Sequence, residues 1–168
     1  VFDTKRKGFS ILVEALKQVF SRNSNIELLV FGTGALQPHE AGNLPLRYIG
    51  YVESPMLQRI IYSAADVFVI PSLQEAFGQT ALEAMACATP VVGFDTGGIP
   101  DMVKPGQTGL LVENGNHQQL ASAIVELLQN DASRLEMGSK ARTFAVENFN
   151  KERQGKLYHE LYKKALGV

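Results

Sequence analysis

An open, doubly wound α/β fold on a parallel sheet is predicted for this chain by three observations. Short, near-continuous apolar runs have the pattern of strands buried on both faces. Segments of helical periodicity lie between them, and the 168 residues with 45% hydrophobic content suit one compact domain. In such a fold the crossovers are right-handed and ligands bind beyond the carboxyl ends of the strands.

The elements follow in order. Phe9, Leu12, Val13, Leu16, Val19 and Phe20 recur at helical spacing, so residues 9–22 read as an amphipathic helix. Strands are predicted at 26–31, 46–52, 66–70, 90–94 and 109–112. Between the second and third, Leu57, Ile60, Ile61 and Ala64 form an apolar stripe, with Ser54 as N-cap and Pro55 at the first helical position. Helices at 117–129, 133–147 and 151–165 close the chain. The last carries Leu157, Leu161 and Leu166 beside Tyr158 and Tyr162, apolar enough to need a partner surface, of which its own sheet is the plainest.

Sixteen basic against seventeen acidic residues give a net charge of −1 and argue against a nucleic-acid footprint. Lys5-Arg6-Lys7 is the one basic cluster, by composition as well a solvated end as a site. A single cysteine, Cys87, excludes an internal disulfide or thiolate metal site and favours a reducing compartment. The histidines, His39, His117 and His159, are far apart, and no metal site is read from them. No apolar run approaches the roughly 18–20 residues that span a bilayer, so any membrane contact is peripheral. The abrupt start Val1-Phe2-Asp3 suggests an excised domain.

The most informative stretch runs from the strand ending at Ile70 through Pro71-Ser72, Glu75 and Ala76-Phe77-Gly78 into a helix carrying Gln79, Thr80 and Glu83. A helix start offers about four unpaired N–H groups and partial positive charge, which suits a phosphate. Gly78 admits close backbone approach, and Glu75 and Glu83 can accept from hydroxyl groups on either side. From the residues alone, the plainer reading has the edge: Glu75 as a helix cap and Glu83 as a solvated surface side chain. Gly97-Gly98 either holds backbone near a ligand or simply turns the chain. Gly50-Tyr51 ends a strand, where Tyr51 contacts a base or stands as a half-buried surface residue. Gly32-Thr33-Gly34, with Glu53 beyond it, suggests a dinucleotide site, but Gln37 occupies the third glycine position and leaves the fingerprint incomplete.

Pro71-Ser72-x-x-Glu75-Ala76-Phe77-Gly78, Leu82-Glu83-Ala84-Met85-Ala86, Pro90-Val91-Val92 and Gly97-Gly98-Ile99-Pro100 resemble the C-terminal signature of glycosyltransferase family 4, also called group 1, with its E-x7-E motif. The likeness extends from Lys7-Gly8 through Gly32-Thr33-Gly34, Gly50-Tyr51-Val52 and Thr108–Val112 to the terminal helices.

That resemblance implies a Rossmann-like C-terminal half of the GT-B architecture. Residues 1–168 would be one donor-binding domain, with an N-terminal acceptor domain missing and the last helix crossing back to it. It implies a retaining enzyme that moves a sugar from a nucleoside-diphosphate donor to a hydroxyl acceptor without metal or other cofactor. Glu75 would hold the donor sugar, Glu83 the ribose, and Ala76, Phe77, Gly78, Gln79 and Thr80 the diphosphate, while Lys7 would neutralise the leaving diphosphate. Gly34 and Tyr51 would border the donor pocket. The expected compartment is the cytoplasm, with any contact at the inner membrane face made through the missing domain. A sugar phosphorylase or epimerase on the same fold, and a non-catalytic nucleotide-sugar-binding module, are the alternatives.

Three positions depart from the family pattern. Val1 and Phe2 stand about where an arginine is usual, leaving Lys5 or Arg6 as substitutes. Ala88 stands where glycine is common, and Asp101 where glutamate often follows Gly-Gly-x-Pro.

Overall fold

A computed structural model describes residues 5–22, 25–33 and 44–167. A 3-10 turn at Lys5–Lys7 leads into α1 (Phe9–Arg22), β1 (Leu28–Phe31), β2 (Leu46–Gly50), α2 (Pro55–Ala64), β3 (Phe68–Ile70) and α3 (Gln79–Ala86). β4 (Val91–Phe94), α4 (Ile99–Met102), β5 (Gly109–Val112), α5 (His117–Gln129), α6 (Asp131–Asn148) and α7 (Lys151–Leu166) follow.

Every strand pairing is parallel. The strands form two ladders, β1-β2 and β3-β4-β5, with Leu28 opposite Leu46, Phe68 opposite Val91 and Val91 opposite Gly109. β4 is buried along its whole length. Its alternation sends Val92 and Phe94 into a core with Leu12, Leu16, Val19, Leu120 and Ile124, and Val91 into a second core with Tyr62, Ile70, Met85, Ile99 and Met102. Helices therefore cover both faces, as the predicted doubly wound fold requires.

Local chemistry sets the helix boundaries. The side chains of Ser54, Asn116, Asn130 and Asn150 accept from the backbone of Leu57, Gln119, Ser133 and Arg153, capping α2, α5, α6 and α7. The Asn130 cap starts α6 at Asp131, two residues before the predicted Ser133. Arg134 then binds Asp131 at 2.7 Å and Asp66 at 3.0 Å, tying the start of α6 to the approach to β3.

Three sequence expectations are corrected. β2 is not buried on both faces: Arg47, Tyr48 and Ile49 are exposed, because this strand pairs only with β1 among the described residues. In α2 the inward stripe is not Leu57, Ile60, Ile61 and Ala64; Ile61 and Tyr62 are buried while the other three are exposed. The helix is turned so that the larger Tyr62 ring enters the core, edge-on to Phe31 at 5.4 Å and Phe68 at 5.6 Å. Finally, α7 does not pack on its own sheet. None of its residues is buried: Leu157, Leu161 and Leu166 are exposed, and Tyr158 stacks on Tyr162.

Candidate functional site

The site assembles where the β3–α3 loop meets two other segments. Leu73 N–H donates to the Arg6 carbonyl at 2.8 Å, seating the Lys5–Lys7 turn against the loop. Gly8 follows with φ +65°, and a Cβ there would lie 1.8 Å from the Pro71 carbonyl oxygen. Only glycine permits that approach. On the other side, Gly97 has φ +53° and its Cβ would fall 1.8 Å from the Glu75 carbonyl oxygen, which accepts from Gly98 N–H at 3.1 Å. Thr96 Oγ1 and Asn114 Nδ2 both donate to the Leu73 carbonyl at 3.1 Å.

This packing brings Lys7 Nζ to 2.7 Å from Glu75 Oε2, with side-chain exposures of 39% and 16%. The Ser72 hydroxyl, 2% exposed, also faces Glu75 Oε2 at 3.4 Å. Burial by itself would raise the Glu75 carboxyl. The hydrogen bond and charge of Lys7, the Phe77 backbone amide and the Ser72 hydroxyl outweigh it and hold the group below its ordinary value. Glu75 is therefore an ionised acceptor tied to Lys7. It does not cap α3: the N-cap is Gly78, in the left-handed region at φ 91°, with no side chain to accept from the first turn.

Further along α3, Glu83 is four residues beyond Gln79 and thus on the same side of the helix. It is not merely solvated. Tyr62 donates its hydroxyl to Glu83 Oε2 at 2.9 Å. Burial first, then the hydrogen bond and charge of Glu83 and the charge of Cys87, push the Tyr62 phenol far above its ordinary value, so it remains a donor across the physiological range.

The structure thus joins Lys7, Glu75 and the Gly97-Gly98 turn, and sets Ala76, Phe77, Gly78, Gln79 and Thr80 at the exposed start of α3, with Gly78 alone buried. Tyr51 lies in the β2–α2 loop and is 64% exposed rather than half-buried. Gly34, Gln37, His39, Val1 and Phe2 lie outside the described residues. Lys5 and Arg6 are exposed, and Asp101 lies in the first turn of α4. Ala88 has φ +63°, which gives a physical reason for glycine at that position.

The sequence named Ser72 within the signature without giving it a role, and did not mark Tyr62, Thr96 or Asn114. Ser72 stands three residues before Glu75, a spacing that could have raised it. Nothing local marks Tyr62, 21 residues before Glu83. Hollows of about 380 Å³ beside α5 and about 260 Å³ beside α6 are lined by none of the candidate residues, so the site is defined here by its polar chemistry. Among the described residues no group of three or more His, Cys, Asp or Glu is arranged to hold a metal ion, and no helix is long and apolar enough to cross a membrane.

Comparison with known proteins gives consistent matches. A family model described as glycosyl transferases group 1 matches residues 1–130. The chain is 32% identical over 169 residues to a D-inositol 3-phosphate glycosyltransferase of Corynebacterium jeikeium, covering 93% of this chain and 40% of that protein. It is 36% identical over 138 residues to a phosphatidyl-myo-inositol mannosyltransferase of Mycobacterium leprae, covering 79% and 37%. The chain therefore spans about two fifths of the length of these relatives. Among solved structures, a mutant of S. aureus TarM in complex with Fondaparinux, alpha-GlcNAc-glycerol and UDP superposes with a TM-score of 0.84 at 26% identity, covering 95% of this chain and 34% of that one.

Proposed function

The chain belongs to the group 1 glycosyltransferases, and from that premise we propose that it binds the nucleoside-diphosphate sugar in a longer, two-domain enzyme. Its fold is the Rossmann-like α/β domain of GT-B glycosyltransferases. In the proposed enzyme a preceding domain holds a hydroxyl acceptor, and the sugar is transferred with retention at the anomeric carbon.

The observation that carries this reading is the Lys7–Glu75 ion pair beside the uncapped, glycine-initiated start of α3. A cation, a carboxylate and unpaired helix amides are the three groups that a diphosphate joined to a sugar requires. Lys7 and the amides of the first turn of α3 stabilise negative charge on the diphosphate, Glu75 accepts from sugar hydroxyls, and Glu83 accepts from the ribose. In the transfer, the bond from the anomeric carbon to the diphosphate oxygen breaks and the acceptor oxygen bonds to that carbon from the same face. The acceptor proton passes to the departing diphosphate. Lys7 must exchange Glu75 for the diphosphate as charge develops, so its contribution grows in the transition state. No metal is required in this scheme.

The test is a panel of uridine, guanosine and adenosine diphosphates and their sugars, offered to the full-length protein with product stereochemistry read by NMR. The proposal expects one base to be preferred and the donor's anomeric configuration to be kept. Inverted product, or no binding of any of them, contradicts it.

A further inference from the structure

We propose that Tyr62 is a positioning residue for the nucleotide: it fixes the Glu83 carboxylate so that its remaining lone pairs face a vicinal diol. The inference rests on the reading that Glu83 meets the ribose.

Tyr62 is held both by its ring and by its backbone. It is 3% exposed, and its ring is wedged edge-on between Phe31 and Phe68. Its backbone carbonyl accepts from Thr89 Oγ1 at 2.6 Å, and Thr89 N–H in turn donates to the Ala84 carbonyl at 3.0 Å. The end of α2 is thereby locked to the end of α3, the helix that carries Glu83. With ring and backbone both held, the hydroxyl occupies one place, 2.9 Å from Glu83 Oε2.

Glu83 needs such a hold. It lies beyond the first turn of α3, where it cannot cap the helix, and it is only partly buried. A glutamate has three side-chain torsions, and a free one samples many rotamers. The Tyr62 donor selects one of them. A carboxylate offers about four lone-pair sites and Tyr62 occupies one on Oε2, so Oε1 and the other Oε2 site remain for two adjacent hydroxyls. The role is one of preorganisation: the acceptor geometry is set before the ligand arrives.

Tyr62→Phe removes the hydroxyl and keeps the clamped ring. Dissociation constants are to be measured by calorimetry on the full-length protein for uridine, guanosine and adenosine 5′-diphosphates and for their 2′,3′-dideoxy forms. For the preferred base, Y62F is expected to weaken the ribose form by about five- to tenfold. It should leave the dideoxy form unchanged and add nothing in a Glu83→Ala background. Equal loss for both forms marks a structural role and overturns the inference, as does no loss for either while E83A weakens the ribose form. If E83A itself leaves the preference for ribose intact, the ribose role of Glu83 falls, and the inference with it. Thermal unfolding of Y62F close to that of the parent protein confirms that binding is being compared between folded proteins.

Discussion

Lys7 Nζ and Glu75 Oε2 lie 2.7 Å apart, joining the turn before α1 to the loop after β3 across 68 residues of sequence. The contact fixes two groups of opposite charge at the start of α3, and its consequences can be measured.

The first concerns pH. The Glu75 carboxyl is held below its ordinary value of 4.5 in the folded chain. The unfolded chain therefore binds the proton more readily, and the pair's contribution to stability is present above that value and lost as pH falls through the lower, folded one. Lys7→Ala should raise the Glu75 titration midpoint, followed by NMR. It should lower stability by about 0.5–1 kcal/mol at neutral pH, because the pair is partly solvent-screened, and by less in acid.

Lys7→Ala should also lower kcat of the full-length enzyme more than it weakens donor binding, since a cation at a leaving group acts most strongly when charge has developed. Single-turnover rates set beside donor dissociation constants check this. Losses of equal size in both would assign Lys7 to ground-state binding alone.

Gly97→Ala should destabilise the domain by about 2–4 kcal/mol, combining the cost of a left-handed backbone with overpacking. The added methyl would meet the Glu75 carbonyl oxygen, so donor affinity should fall as well. Chemical denaturation and calorimetry report the two effects separately.

Ala88→Gly should act in the opposite direction. Ala88 is exposed and has φ +63°, and glycine relieves that strain for a net gain of up to about 1 kcal/mol after its larger unfolded-state entropy. A rise in the denaturation midpoint with unchanged slope is the expected result.

Much of this architecture was legible in the sequence for identifiable reasons. α1 and α5 have the predicted bounds because each carries a wide apolar face. α2 starts at Pro55 because Ser54 caps it. The loop with Glu75, the start of α3 and the Gly97-Gly98 turn were found because they occupy one continuous signature. What the sequence hid depends on partners distant in the chain. The orientation of α2 is decided by the fit of Tyr62 between Phe31 and Phe68, which periodicity cannot see, and the exposure of β2 by its place at the end of a ladder. α4 is a single turn, too short to generate a pattern. The Lys7–Glu75 and Tyr62–Glu83 contacts are tertiary, so Lys7 and the two carboxylates could be named from their motifs, but neither the pairing of Lys7 with Glu75 nor the Tyr62 donor could.

Whether Glu83 and the start of α3 receive a nucleotide is read from the affinity of full-length Glu83→Ala for the preferred nucleoside diphosphate. Loss of hydrogen bonds to a charged acceptor should cost about 1–3 kcal/mol, a rise in Kd of roughly 5- to 150-fold. An unchanged Kd in a correctly folded variant would remove Glu83 from the nucleotide site.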